Sequence, residues 1–464
     1  GDAAAAQRGL DAVLAEWRAT PLLPGGVAFL RAGWRRVVVH QALETATDPT
    51  AAYEQLLATQ ALGSLARRLE LPAPTLGELR HELLARGEVL LHWFPTRAAT
   101  HLFIVRSHEL RHLRLPAEPR LVADAAALAA ADARVAAATT RRERAAADEQ
   151  VALALRHLTD RLLPGVARDA LAQAPLAWIV AHELPAGIPL HRLTPDDRWA
   201  LGAVTALCEL PSLPVALWLR RRPTERRPAQ LCGLIGPERS IDGAATFAVS
   251  GDALRERLPT LSLREVGSEG DPLAAVAGDA LVLIAHGVVD RRRDRFAGLL
   301  LAHGLLADVE SATIAWADAF ERAALPPLVV LAACSAGEAP VRVGEDGGEH
   351  LGGAALLGGA RAVLLARGTL DAAVAVPQLV EFLRGIESGA SAAVALRDAR
   401  RRARPDDAPP DFVLLGLGDE PLRPAAPSSA SPSWVRRLTA DARAIGAAAL
   451  LLLGVVLLRR ARRH

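Results

Sequence analysis

Two side chains suited to covalent chemistry stand at the ends of short apolar runs. One run is Ala280-Leu-Val-Leu-Ile-Ala-His286-Gly287; the other is Leu328-Val-Val-Leu-Ala-Ala-Cys334-Ser-Ala-Gly337. Continuous apolar runs of this length, the second bounded by Pro326-Pro327 and Gly337, predict strands buried on both faces of a parallel sheet. Ligands in such sheets collect just beyond the carboxyl ends of the strands, where His286 and Cys334 would lie. A free thiol titrates near about 8.5 and is mostly protonated at neutral pH, so a nucleophilic Cys needs an imidazole to take its proton and return it to a leaving amine. Gly287 allows close approach of backbone to a substrate carbonyl, and its N–H with that of Cys334 can form an oxyanion hole. The chemistry would be acyl transfer from a peptide bond. A buried structural Cys and an unrelated His remain the alternative on residue type alone.

The rest of the chain must bring these two ends together. Residues 1–74 form a helical lead-in, with helical apolar spacing over 51–69 and a break at Pro72-Ala-Pro74. From Glu88 the period changes, and three strands in a meander are expected, turning at Pro95-Thr and Ser107-His. Ala-rich helices fill 117–173, with Arg141-Arg-Glu-Arg as a solvated face, before a strand over 174–181. A further strand is predicted at Val215-Ala-Leu-Trp-Leu, followed by Arg220-Arg-Arg as an exposed loop. The second half, 229–422, opens with a strand carrying Cys232 in the core. It alternates strand and helix through the His286 and Cys334 runs, the helix over 349–357, the strand 362–366 and two covering helices, and a last strand at Phe412-Val-Leu-Leu-Gly closes it.

Two loops flank the candidate site. Arg291-Arg-Arg-Asp-Arg295, just past Gly287, is a solvated loop that could favour an acidic substrate segment; His303 beyond it is a weaker base. The Gly-rich acidic loop 338–348 is expected to shape the cleft. Glu345, Asp346, Glu349 and His350 are set aside as metal ligands, because acidic Gly loops are ordinarily solvated turns.

Composition limits the partners. The 464 residues carry a formal net charge of +2, contain no Lys, Asn or Met, and are 51% hydrophobic. Arg supplies the basic charge without aromatic interleaving or a recognised motif, so no nucleic acid is expected as a partner. Cys208, Cys232 and Cys334 show neither metal spacing nor a disulfide framework, which suits a reducing compartment. No Gly-x-Ser-x-Gly and no P-loop is present, which disfavours a Ser or nucleotide hydrolase, and Cys–His chemistry implies no metal or organic cofactor. With Gly1 in the place of an initiator Met, a preceding segment is expected. A Pro/Ser/Ala-rich linker spans 423–443. The uncharged stretch 444–458, flanked by Arg443 and Arg459, is expected to be a membrane anchor: at about 1.5 Å per residue it reaches about 22 Å, and flanking Arg can snorkel across the remainder.

In order, the blocks Leu-Ile-Ala-His286-Gly287, Leu331-Ala-Ala-Cys334-Ser-Ala-Gly337, Gly358-Gly-Ala-Arg-Ala-Val-Leu-Leu365 and Asp411-Phe-Val-Leu-Leu-Gly-Leu-Gly418 resemble those of CHAT domains, the caspase-like clan that includes separase. Leu84-Ala-Arg-Gly-Glu-Val-Leu-Leu91 and Ile188-Pro-Leu-His-Arg-Leu193 extend the resemblance over about residues 75–422. The 48 residues from His286 to Cys334 also match the roughly 50-residue interval of caspase-like proteases. The resemblance implies an α/β fold: a caspase-like, mostly parallel sheet flanked by helices, in a catalytic half at 229–422. A smaller pseudo-caspase-like layer at 75–228 would precede it, and the hydrophobic helix 444–458 would follow. It implies a cysteine endopeptidase with Cys334 as nucleophile, His286 as base and Gly287 as an oxyanion donor. A protein or peptide would be the substrate, with an activating protein partner able to gate the enzyme; separately from the resemblance, the catalytic part is expected on the cytoplasmic side. Where the family pattern reads Cys-Glu-Thr-Gly, Ser335-Ala336 stand here; where it reads Trp-x-Val-x-Asp, only Asp371 of Arg367-Gly-Thr-Leu-Asp371 is kept. Ser335, Arg367 and Asp371 are therefore candidates for the substrate pocket, although Asp371 is equally explained as a helix N-cap. A non-catalytic scaffold at a membrane is the alternative function.

Overall fold

The computed structural model describes residues 12, 39, 43 and 48–422, with 61–63, 85–86, 97, 182–183, 185–187, 196–198, 224–229, 237–250, 266–272, 274–277, 290–296, 303–312, 335, 338–349, 369, 371 and 404–411 excepted. The expected linker and the apolar stretch 444–458 lie outside the described residues. Among those described, no helix is long and apolar enough to cross a membrane.

Helix Pro49–Gln60 buries Tyr53, Leu56 and Leu57. The expected meander follows as β1 (Val89–Pro95), β2 (Thr100–Val105) and β3 (Leu110–Leu115), antiparallel throughout. Its side chains alternate between two cores: Val89, Leu91 and Trp93 face one, Leu90 and Phe94 the other, as a two-residue period requires. Two long helices, Glu118–Ala137 and Arg141–Leu162, cover the first of these cores. The second starts on a capping box, in which the Glu143 N–H donates to Thr140 Oγ1 at 3.1 Å and the Thr140 N–H to Glu143 Oε2 at 3.0 Å. β4 (Leu176–Val180) and β5 (Ala206–Glu209) complete the first half.

Val215-Ala-Leu-Trp-Leu is not a strand. It lies in helix Leu213–Arg221, which Pro214 opens in its first turn. A short apolar run buried on most sides is ambiguous between helix and strand, and a Pro near its start favours the helix. Nor is Arg220-Arg-Arg a free loop. Arg220 binds Asp419 at 2.8 Å and Glu420 at 3.1 Å, and Arg221 binds Glu78 and Glu82, tying the first half to neighbouring segments.

The second half contributes β6 (Leu231–Ile235), β7 (Leu261–Glu265), β8 (Ala280–Ile284), β9 (His286–Val289), β10 (Ala297–Ala302), β11 (Thr313–Trp316), β12 (Leu328–Ala332), β13 (Ala362–Ala366) and β14 (Phe412–Gly416). Cys232 lies mid-strand as expected but is only half-buried. The two halves are not separate layers. They share one eleven-stranded sheet in the order β3-β2-β1-β4-β5-β14-β13-β12-β8-β6-β7. β14 is not at an edge: it sits at the centre, antiparallel to β13 and parallel to β5. The parallel strands of the two halves consequently run in opposite directions, and their carboxyl ends open at opposite edges. Gly416 turns the chain out of β14 at φ +90°, a left-handed conformation that suits glycine.

Candidate active site

β8 and β12 are parallel neighbours with Ile284 opposite Ala332. Residues two positions further on, His286 and Cys334, therefore leave the sheet side by side at one edge. The Ala285 N–H still donates to the Ala332 carbonyl at 3.4 Å, so the strands stay paired up to the point where they diverge. The contact then becomes closer than a side chain would allow. A Cβ at Gly287 would fall on the carbonyl oxygen of Cys334 and 2.9 Å from its carbonyl carbon. Glycine at 287 thus lets one backbone lie directly on the other.

The segment after His286 is more ordered than a loop. β9, β10 and β11 form a second, antiparallel sheet, with His286 opposite Leu300 and Gly287 opposite Leu299. Short apolar pieces such as Val288-Val289 carry too little periodicity to be recognised alone. His286 is 3% exposed, whereas Cys334 is half-buried, so Cys334 is the more accessible residue of the two. The Cys334 Sγ accepts a hydrogen bond from the Leu370 N–H at 3.3 Å. The Gly337 N–H donates to the Ala366 carbonyl at 2.8 Å, joining the segment after Cys334 to the end of β13. Ala336 is buried at 1% exposure, where a small apolar residue fits.

Arg367 lies beside this cluster. Its stem passes Gly337, and its guanidinium reaches across β14 to Glu209, the last residue of β5, with Nη2–Oε2 2.6 Å and Nη1–Oε1 3.4 Å. Glu209 and the Leu370 amide were not legible as site groups. An acidic residue ending the apolar run Ala-Leu-Cys-Glu was the one available signal for Glu209, and a backbone N–H carries none. Ser335, Asp371, the Arg291–Arg295 cluster and His303 lie outside the described residues.

Of the four residues weighed as metal ligands, Glu345, Asp346 and Glu349 also lie outside them. His350 plays a structural part, in which its Nδ1 accepts the Gly352 N–H at 3.0 Å and caps helix Leu351–Leu357. No group of three metal-ligating side chains occurs among the described residues. All three cysteines are free. Cys208 is buried, and its burial, with Asp419 nearby, pushes the thiol well above its ordinary range, so it is the inert one.

A second imidazole, His191, is buried and held neutral, first by its burial and then by Arg400, Arg192 and Arg367. Its folded value lies below that of the unfolded chain, about 6.5, so the unfolded state binds the extra proton first. Stability is therefore complete above that value and falls as pH drops below it toward the folded one. Urea midpoints between pH 7 and 5 should decline, and His191→Gln should flatten the decline; an unchanged slope would remove His191 as its source.

A buried two-half α/β sheet with His and Cys at neighbouring strand ends defines a caspase-like protein. A CHAT domain model matches residues 73–434, and the chain belongs to the CHAT domain family. Comparison with curated proteins gives no match. Among solved structures, the Saccharomyces cerevisiae separase–securin complex at 3.0 Å resolution is similar with a TM-score of 0.56 at 12% identity, covering 90% of this chain and 38% of that one. The same complex at 2.6 Å resolution gives a TM-score of 0.48 at 11% identity, covering 85% and 33%. The chain thus spans well under half of the separase chains, and what it shares with the first of them is the fold.

Proposed function

We propose that the chain is a cysteine endopeptidase acting through Cys334 and His286. The observation that carries this is the convergence of the two strand ends, with the Gly287 backbone lying on the Cys334 carbonyl. Cys334 Sγ attacks the carbonyl carbon of a peptide bond while its proton passes to His286. The N–H groups of Gly287 and Cys334 hold the resulting oxyanion. Collapse forms a thioester as His286 protonates the departing amine, and water, deprotonated by His286, then releases the acid and restores the thiol. No cofactor enters the scheme.

Cys334→Ala should abolish cleavage of a casein or peptide-library substrate while leaving the circular-dichroism spectrum unchanged. Undiminished proteolysis in that variant would end the assignment. The 75–228 and 229–422 division is kept as the functional one, with the first half supporting the second through the shared sheet. Ser335 and Asp371 remain pocket candidates by family position.

We further propose a tether at 444–458, after the 423–443 linker, which would hold the catalytic part at the cytoplasmic face of a membrane. Its support is the uncharged run between Arg443 and Arg459. Deleting 444–464 should release the protein from the membrane fraction into the supernatant; retention would refute the tether.

A second reading, a protein-binding scaffold, is favoured by one observation: His286 is almost fully enclosed. The solved separase chain is in complex with securin, and a protein partner for this chain fits either reading. A thiol-directed peptide probe that labels Cys334 only when His286 is present would favour the enzyme.

A further inference from the structure

The ion pair made by Arg367 is unusual in what it joins. Arg367 belongs to the second half and directly follows β13, whereas Glu209 ends β5 in the first, with β14 between them. Three residues past Arg367, the Leu370 N–H points at Cys334 Sγ, and Leu370 itself is 2% exposed. Between these anchors, a Cβ at Gly368 would meet open space, so packing does not fix the backbone there. The Leu370 amide is therefore held on one side by the buried Leu370 side chain and on the other by the end of β13, where the Gly337 N–H bond to the Ala366 carbonyl fixes the backbone and the Arg367 fork adds a second hold. A bidentate Arg–carboxylate pair suits the second role because it fixes direction as well as distance. The Glu209 side chain is 12% exposed and that of Arg367 36%, so solvent screens the pair from the Arg367 side only.

We propose that Arg367 and Glu209 are positioning residues for the nucleophile: they hold the Leu370 N–H on Cys334 Sγ, so that the first half of the chain controls the reactivity of the thiol in the second. The proposal rests on Cys334 being the nucleophile. A backbone N–H aimed at sulfur favours the anionic form, which is the reactive one.

The test is alkylation of Cys334 in the full chain by iodoacetamide, followed site by site with peptide mass spectrometry, with Cys232 as internal reference. In E209Q and in R367M, Cys334 should react about fivefold more slowly at pH 7, the loss expected for one hydrogen bond. Cys232 should be unaffected. The charge-swapped double variant E209R/R367E should recover most of the lost rate. A Cys334 rate within experimental error of the parent in both single variants would overturn the proposal, as would slowing that the double variant does not relieve. H286A, run in parallel, reports on the dyad alone: slowing there without slowing in E209Q sinks the positioning role and keeps the dyad, and the reverse sinks the dyad.

Discussion

Gly287→Ala is expected to lower peptide hydrolysis by at least about a hundredfold, the cost of misplacing a catalytic group by about 1 Å. The added methyl has nowhere to go. Its carbon would sit inside the van der Waals envelope of the Cys334 carbonyl oxygen, a main-chain atom that cannot rotate aside as a flexible side chain could. One of the two backbones must move, and the groups they carry are His286 and Cys334. The same shift would turn the Gly287 and Cys334 N–H groups away from a shared oxyanion. Paired measurements of kcat/KM and thermal unfolding separate this from general damage: rate should collapse while the fold remains. An alanine variant within about threefold of the parent rate would show that the close contact has no catalytic meaning.

Arg220→Met should be the most destabilising single change among the ion pairs, costing about 3 kcal/mol. Its partner Asp419 has a side chain only 7% exposed and lies beside Cys208, so removing the guanidinium leaves a buried carboxylate without its cation. The Arg220 guanidinium also lies 5.7 Å from the centre of the Trp178 ring, whose Nε1–H donates to Glu88 Oε2 at 3.0 Å, so the pair belongs to a network joining β4 to the segment after β14. Arg221, the next residue, supplies the comparison. It too holds two carboxylates, Glu78 and Glu82, but it is 46% exposed, and pairs open to water contribute at most about 1 kcal/mol. Urea denaturation of Arg220→Met and Arg221→Met should therefore differ severalfold in lost stability. Equal losses would contradict the account of the seam.

The contrast between neighbours shows what the sequence could and could not reveal. The runs at 280–284, 328–332, 362–366 and 412–416 were legible because strands buried on both faces need uninterrupted apolar residues, and they appear as β8, β12, β13 and β14. The long helices were legible through Ala content, whereas the Thr140–Glu143 cap between them emerged only in the structure. Partnership was not. The same apolar vocabulary that makes β12 makes a helix at 213–221, and nothing local indicates that β14 pairs with β5 to fuse two expected layers into one sheet. The site divides likewise. His286 and Cys334 were visible as polar residues ending apolar runs, and Gly287 by its adjacency. Glu209, 125 residues before Cys334 in the chain (209 to 334), and the Leu370 amide join the cluster only through folding.

The central claim is that the sulfur of Cys334 is activated by the imidazole of His286. It is tested most directly by the rate at which a peptidyl acyloxymethyl ketone labels Cys334, compared between the parent protein and His286→Ala. The account predicts rapid, stoichiometric labelling confined to Cys334 in the parent and a loss of at least about a hundredfold in the variant, as expected for removal of a general base. Equal labelling rates in the two proteins, or a label on Cys232 in place of Cys334, would contradict it.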